Sequence, residues 1–335
     1  MHQRALRKHN LSLSPHAVLV ICGLTLFVMA IEQRLEEQEP YSVSRVVIEQ
    51  AGGGKAIREN LESLIPPELT LAVTTLLRNQ APYLVEWVEF HTRMGFDLFI
   101  IFDDNSTDES VATLQPYIAS GRVVVVHARD SFYGCSHRDP ARNKHLQAPC
   151  QRVVFNYARH QLLRKTVWMG NFDVDEFIWT PRGSISVIPS LLNYRYGGYD
   201  RVRIVGSVFG GNNISEPVRT PVISTYTRRA RADPPFEDGL RFGHKELYRP
   251  DRVGGTDVHS SWCWTCATIT IPPLAPDLRM NHYQYKSRTE QRDKAVQNGN
   301  ERLEVDPAVE AVVNEVEDTD IMASLVERNP AIRFV

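Results

Sequence analysis

The run Leu69-Thr70-Leu71-Ala72-Val73-Thr74-Thr75-Leu76-Leu77 is apolar, rich in strand-forming residues and preceded by Pro66-Pro67. Its length and flanks predict a buried β-strand. From Ala81 to Met94, Leu84, Val85, Val88 and His91 recur at helical spacing, and Gly95 ends the segment. Asp97 to Phe102 reads as a second buried strand, Asp108 to Ala119 as a helix and Arg122 to His127 as a third strand. This alternation predicts parallel strands joined by right-handed crossovers. Ligands then bind beyond the carboxyl ends of the strands, so polar residues just past a strand carry the most weight.

Downstream, residues 131–149 form a long connection that holds Cys135 and ends just before Cys150. Gln151 to Lys165 is amphipathic and helical, and Val167 to Phe172 is a short strand ending in Asp173-Val174-Asp175-Glu176. A less regular half follows, with strands expected near Arg201–Val205, Val222–Arg228 and Ala267–Ile271, then polar helices after Ser287. Upstream, residues 33–68 are polar, contain Gly52-Gly53-Gly54 and end in Pro66-Pro67, which reads as a stem. The folded domain is then expected over residues 69–325.

The N-terminus has its own pattern. Arg4, Arg7 and Lys8 precede an uncharged run from Ala17 to Ile31. As a helix that run reaches about 22 Å, against a hydrocarbon core of about 30 Å. One reading is an uncleaved type II anchor: cytosolic tail 1–15, membrane span 16–32, and everything after it lumenal. The other is a signal peptide, with Val28 and Ala30 as the small residues before the cleavage point. Both send the rest of the chain into an oxidising lumen. There Cys135, Cys150, Cys263 and Cys266 permit two disulfides, Cys135 with Cys150 being one pairing of suitable loop size. The Cys263-x-x-Cys266 pair has no second pair at zinc-knuckle spacing, and its neighbours Trp262, Trp264 and Thr265 suggest a packed strand. A net charge of −2 argues against a dedicated nucleic-acid partner.

Two clusters carry chemistry. Asp173 and Asp175, two apart in an extended segment, point the same way. At a strand end they suit one hard divalent ion that keeps positions open for phosphate oxygens. Such an ion offsets charge on a diphosphate leaving group. Apolar Trp168, Phe172, Phe177, Ile178 and Trp179 surround the acids, whereas a plain surface turn needs no such context. The second cluster, Asp103-Asp104-Asn105-Ser106-Thr107-Asp108, contains a helix-cap pattern and places Asp104 where a base or ribose would be met.

Taken in order, Leu76-Leu77-Arg78-Asn79, Tyr83-Leu84-Val85-Glu86-Trp87, His91, Gly95, Phe102-Asp103-Asp104-Asn105-Ser106, Asp173-Val174-Asp175-Glu176-Phe177, His282-Tyr283 and Lys286-Ser287 resemble family 92 glycosyltransferases. The related family-2-like transferases share much of this pattern. The resemblance spans about residues 70 to 300 and implies a GT-A-like, Rossmann-type, mostly parallel sheet flanked by helices, carried behind the N-terminal anchor. It implies a UDP-sugar donor, often UDP-galactose, with Mn²⁺ (or Mg²⁺) and inversion at the anomeric carbon. By position, Arg78, Asn79 and Asp104 would line the nucleotide pocket, with Asp173 on the ribose or metal. Asp175 would be the main metal ligand, joined by His259, which follows the Lys245–Pro250 segment. His282 is the other histidine in question. Lys245, His282 and Lys286 would lie along the diphosphate. Gln80 and Phe209-Gly210-Gly211-Asn212 depart from the family pattern.

An inverting transferase needs a carboxylate as base on the acceptor hydroxyl. Glu216, Glu237 and Asp238 are candidates, with Glu176 a further option. Asn213-Ile214-Ser215 is a glycosylation sequon, as is Asn105-Ser106-Thr107. The expected protein is a single-pass type II Golgi enzyme that uses a nucleotide sugar and a glycan or glycoprotein acceptor. Its rivals are a nucleotidyltransferase and a catalytically inactive lumenal glycan-binding protein of the same fold.

Overall fold

A computed structural model describes residues 45–136, 147–233, 242–297 and 306–328. The described residues fall within one compact unit. The tail and anchor expected over residues 1–32 lie outside the described residues. Among those described, no helix is long and apolar enough to cross a membrane.

The strands are β1 Val46–Glu49, β2 Lys55–Arg58, β3 Leu69–Leu77, β4 Leu98–Asp103, β5 Val123–His127, β6 Thr166–Asn171, β7 Glu176–Trp179, β8 Arg201–Val208, β9 Arg228–Arg229, β10 Phe242–Tyr248, β11 Gly255–Thr256, β12 Ser261–Trp262, β13 Thr268–Ile271, β14 Arg279–His282 and β15 Val316–Glu317. The main helices are α1 Ala81–Arg93, α2 Gln147–Leu162, α3 Ile188–Tyr196, α4 Arg288–Gln297, α5 Pro307–Val313 and α6 Asp320–Arg328. The large sheet runs β2-β1-β5-β4-β3-β6-β10-β8-β14-β7, with β13 also on β8.

Strands β5, β4, β3 and β6 are mutually parallel, so their carboxyl ends share one edge. β4 and β5 are buried along their whole length, as the apolar runs demand of strands covered on both faces. Alternate side chains divide between two cores. Leu71, Val73, Phe99, Ile101, Val123 and Val125 face one, while Ala72, Leu98, Ile100, Phe102, Val124 and Val126 face the other. On the first face, α1 packs through Leu84, Trp87, Val88 and His91, the spacing of one helical stripe. Gly95 ends it with φ +97, and a side chain there would collide with Ser186. α2 packs in the second core through Val154, Tyr157 and Ala158.

Register fixes what meets at the edge. Leu77, Asp103 and His127 stand in one row across β3, β4 and β5. Thr74 pairs with Asn171 on β6, and the Phe172 N–H donates to the Thr74 carbonyl at 3.1 Å. Asp173 therefore emerges beside the tip of β3. Beyond this parallel block the sheet is mixed: β10 runs antiparallel to β6 and β8, and β7 antiparallel to β14.

Three expectations are corrected. The residues expected as a stem contain strands, because β1 pairs with β5 and β2 with β1, forming a hairpin on the sheet edge. The glycines read as a linker make its turn, with φ +86, +93 and +97 at Gly52, Gly53 and Gly54. Val222–Thr225 is a short helical turn, not part of a strand, because Glu86 accepts both the Val222 and Ile223 N–H groups. The Asp108–Ala119 helix is two short pieces, with Leu114 at their junction ahead of Pro116.

Candidate active site

Asp173 and Val174 turn the chain from β6 into β7. The Glu176 N–H donates to the Asp173 carbonyl at 3.0 Å, and the Asp173 N–H to Glu176 Oε2 at 2.9 Å. β10 brings Lys245 against this turn, its Nζ 2.9 Å from Asp173 Oδ2 and 3.2 Å from Glu176 Oε2. Lys245 is buried, and an ammonium there is sustained only by such partners. Burial works to lower its pKa, but Asp173 and Glu176 hold it above the ordinary lysine range. Burial pushes Glu176 up to about 7, against the pull of Lys245.

Asp175 is reached from the other side. His282 pairs with Glu176 in the β14–β7 ladder, and the next residue, Tyr283, donates its N–H to the Asp175 carbonyl at 2.8 Å. His282 Nε2 thereby lies 3.6 Å from Asp175 Oδ1, too far for a hydrogen bond. Lys294 of α4 sets its Nζ 3.1 Å from Asp175 Oδ2. Burial acts to raise the Asp175 carboxyl, but Lys294, His282 and Lys286 hold it well below the usual range. Lys286 lies over the Tyr83 ring, 4.4 Å from its centroid, and burial lowers its pKa to about 8.

The donor set can be tested against a divalent cation. Among the described residues, no three His, Cys, Asp or Glu side chains already form a cage. Asp175 Oδ1 and His282 Nδ1 are nevertheless buried with no hydrogen-bond partner. While His282 Nδ1 lies 3.9 Å from Glu176 Oε1, the orphaned carboxylate oxygen faces His282 Nε2 beside the partly exposed Asp173, an arrangement that suits a hard ion. Asp173, Asp175 and His282 would hold it. His259, expected in that role, sits between β11 and β12 with its Nδ1 3.2 Å from the His244 carbonyl, within electrostatic reach of Asp173 but not ion-paired to it.

At the tips of β3 and β4 the second cluster assembles. Asn79, at φ 54, donates its N–H to Ser106 Oγ at 3.0 Å and accepts the Thr107 N–H on Oδ1 at 2.8 Å. The Ser106 N–H donates to Asp103 Oδ1 at 3.1 Å. Arg78 is exposed beside this loop pair. Asp104 is buried and accepts from Arg129 Nε at 2.8 Å, so its carboxylate is already oriented.

Of the base candidates, Glu176 stands in the turn itself, accepting the Asp173 N–H. Glu216 is exposed and accepts from Thr289 Oγ1 at 3.1 Å, while Glu237 and Asp238 lie outside the described residues. Sequence reading missed Lys294 and Arg129. Lys294 falls in a helix with no apolar stripe, which offers no signal, whereas Arg129 follows a strand end and could have been weighed. Cys135 and Cys150 form the expected disulfide, and Cys263 bonds Cys266. The expected packed strand around Cys263 is corrected: Trp264 is 89% exposed, because the short disulfide loop turns it outward.

A sheet edge that gathers an Asp-x-Asp turn, a histidine and three lysines has the charge pattern that suits phosphorylated ligands. The sequence profile of glycosyltransferase family 92 matches residues 68–318, and the chain belongs to that family. A family 92 protein of Ricinus communis is 26% identical over 194 residues, covering 56% of this chain and 29% of the relative. The galactan beta-1,4-galactosyltransferase GALS2 of Arabidopsis thaliana is 33% identical over 197 residues, covering 56% of this chain and 35% of the relative. The chain thus spans about a third of the length of these relatives. Among solved structures, S. aureus TarS 1–349 with UDP gives a TM-score of 0.32 at 14% identity, over 54% of this chain and 47% of that one. Mycobacterium tuberculosis glucosyl-3-phosphoglycerate synthase with Mn²⁺ and UDP gives 0.28 at 17% identity, over 58% and 61%. Scores this low say nothing about the site.

Proposed function

We propose that this chain is an inverting hexosyltransferase with a GT-A-like fold, moving galactose from UDP-galactose to a glycan hydroxyl with Mn²⁺ or Mg²⁺ bound. The observation that carries the reading is the buried, partnerless Asp175 Oδ1 facing His282 beside Asp173 at the carboxyl edge of the sheet. Asp173, Asp175 and His282 would hold the ion, which would supply positive charge against the departing diphosphate. Lys245 fixes the turn from beneath, while Lys286 and Lys294 add positive charge on the same side. Asn79 and Asp104 line the nucleoside end. Galactose as the donor sugar is favoured by the galactosyltransferase relatives. A membrane anchor within residues 16–32 and a Golgi lumenal position remain part of the proposal.

Donor hydrolysis by the full chain, across a panel of nucleotide sugars with and without Mn²⁺, is the test. Turnover of one UDP-sugar that needs the ion and vanishes in Asp175→Ala supports the reading. Ion-independent turnover, or none together with no UDP binding, removes it.

A further inference from the structure

The β1–β2 hairpin precedes the family-matched residues 68–318, yet it grips the segment that follows β5. The Val47 N–H donates to Ser131 Oγ at 2.8 Å, and Lys55 Nζ lies 2.6 Å from Asp130 Oδ2 at the surface. The third contact points inward. Glu49 Oε2 is 3.1 Å from His127 Nε2, and His127 Nδ1 is 3.5 Å from Asp103 Oδ2. None of these three side chains is more than 10% exposed. The other Glu49 oxygen accepts from the Gly54 N–H at 3.0 Å and from Gln115 Nε2 at 3.2 Å, so the carboxylate is held on both sides.

The row continues into the site. Asp103 accepts the Ser106 N–H, Ser106 accepts the Asn79 N–H, and Asn79 accepts the Thr107 N–H. Two residues past His127, Arg129 orients Asp104. Asn79 and Asn105 both hold left-handed backbone, at φ 54 and 61, a conformation that persists where the surroundings impose it. A buried carboxylate costs free energy unless its partners are fixed. Glu49 thus anchors one end of a row of hydrogen bonds and one close ionic contact, His127 to Asp103 at 3.5 Å, whose other end is the loop pair proposed to receive the nucleoside.

We propose that Glu49 is a positioning residue for the nucleotide, acting through His127 and Asp103 on the loops after β3 and β4. The inference rests on the nucleotide-sugar reading above. It also makes the hairpin a working part of the pocket, so a chain trimmed to the family-matched residues would bind nucleotide poorly.

The test compares full-length wild type, Glu49→Gln and Lys55→Ala by calorimetry with UMP and with UDP plus Mn²⁺. Glu49→Gln keeps the side-chain shape and loses the charge facing His127. Its Kd should rise about tenfold for both ligands, the value of one charge-assisted hydrogen bond, leaving the UDP-to-UMP ratio unchanged. Donor KM should rise in step while kcat stays within about twofold. Lys55→Ala loosens the same hairpin without touching the row and should bind like wild type. Unchanged Kd values in Glu49→Gln overturn the proposal, as does an equal loss in Lys55→Ala, which marks general loosening. If Glu49→Gln folds poorly, Glu49→Asp is the substitute, and wild-type affinity in it with the shortened reach counts against the row. Wild type that binds neither UMP nor UDP instead removes the nucleotide reading itself.

Discussion

His282 Nε2 and Asp175 Oδ1 face each other across 3.6 Å, brought there by the pairing of His282 with Glu176 in adjacent antiparallel strands. The two atoms are too far apart to bond and close enough to share an ion. His282→Ala should therefore lower Mn²⁺-dependent donor hydrolysis by at least about 100-fold, whereas His259→Ala stays within about tenfold. Initial rates across a Mn²⁺ titration decide between the two histidines; equal losses would make both of them ligands.

Lys294 occupies the second Asp175 oxygen, and a cation entering the site must displace or outweigh it. Its side chain is half exposed, so the pair is worth at most about 1 kcal/mol after screening by solvent. Lys294→Met should tighten Mn²⁺ binding in the donor-free protein, by up to about fivefold. Isothermal titration with Mn²⁺ alone checks this, and weaker binding in the variant would show that the lysine helps rather than competes.

Gly211 lies against the Lys286 carbonyl so closely that a side chain would collide with backbone. Gly210 is equally close to Val313 and Asn314. Gly211→Ala must displace the Lys286 backbone. A stability loss of about 1–3 kcal/mol in urea melts should accompany a raised donor KM. An alanine variant with unaltered KM would separate the position of Lys286 from donor binding.

His91 is fully buried; its Nδ1 donates to the Trp87 carbonyl at 2.9 Å, and its Nε2 accepts the Ile178 N–H at 3.2 Å. That pairing requires the neutral ring, and burial drives its pKa down to about 3. In the unfolded chain the ring returns to about 6.5 and takes up a proton below that pH. Its stabilisation is thus present above about pH 6.5 and is lost as pH falls toward 3. The destabilisation caused by His91→Gln should shrink by about 1.4 kcal/mol between about pH 7.5 and pH 5.5. Urea midpoints at the two pH values measure it, and a constant difference would mean that the folded protein carries a charged ring.

The parallel block was legible because strands buried on both faces read as uninterrupted apolar runs, as in Val123-Val124-Val125-Val126. The Asp-x-Asp turn was legible for the same reason, since apolar residues flank it. β10 was not: Phe-Gly-His-Lys-Glu-Leu-Tyr mixes charge into a central strand, because Lys245 and Glu246 are buried against partners distant in sequence. The β1–β2 hairpin escaped because consecutive glycines look the same in a linker and in a turn needing positive φ throughout. The choice between His259 and His282 needs register that the sequence does not display. Only the pairing of β14 with β7 reveals which histidine stands beside Asp175.

The turn that bears Asp173 and Asp175 lies near the middle of the chain, but its Asp175 carbonyl is bonded by Tyr283, more than a hundred residues later. During synthesis the aspartates leave the ribosome long before the strand that equips them. The proposed metal site would therefore be completed late, after Arg279–His282 has threaded between β8 and β7. A nascent chain halted before residue 283 carries the acidic pair with nothing to complete it.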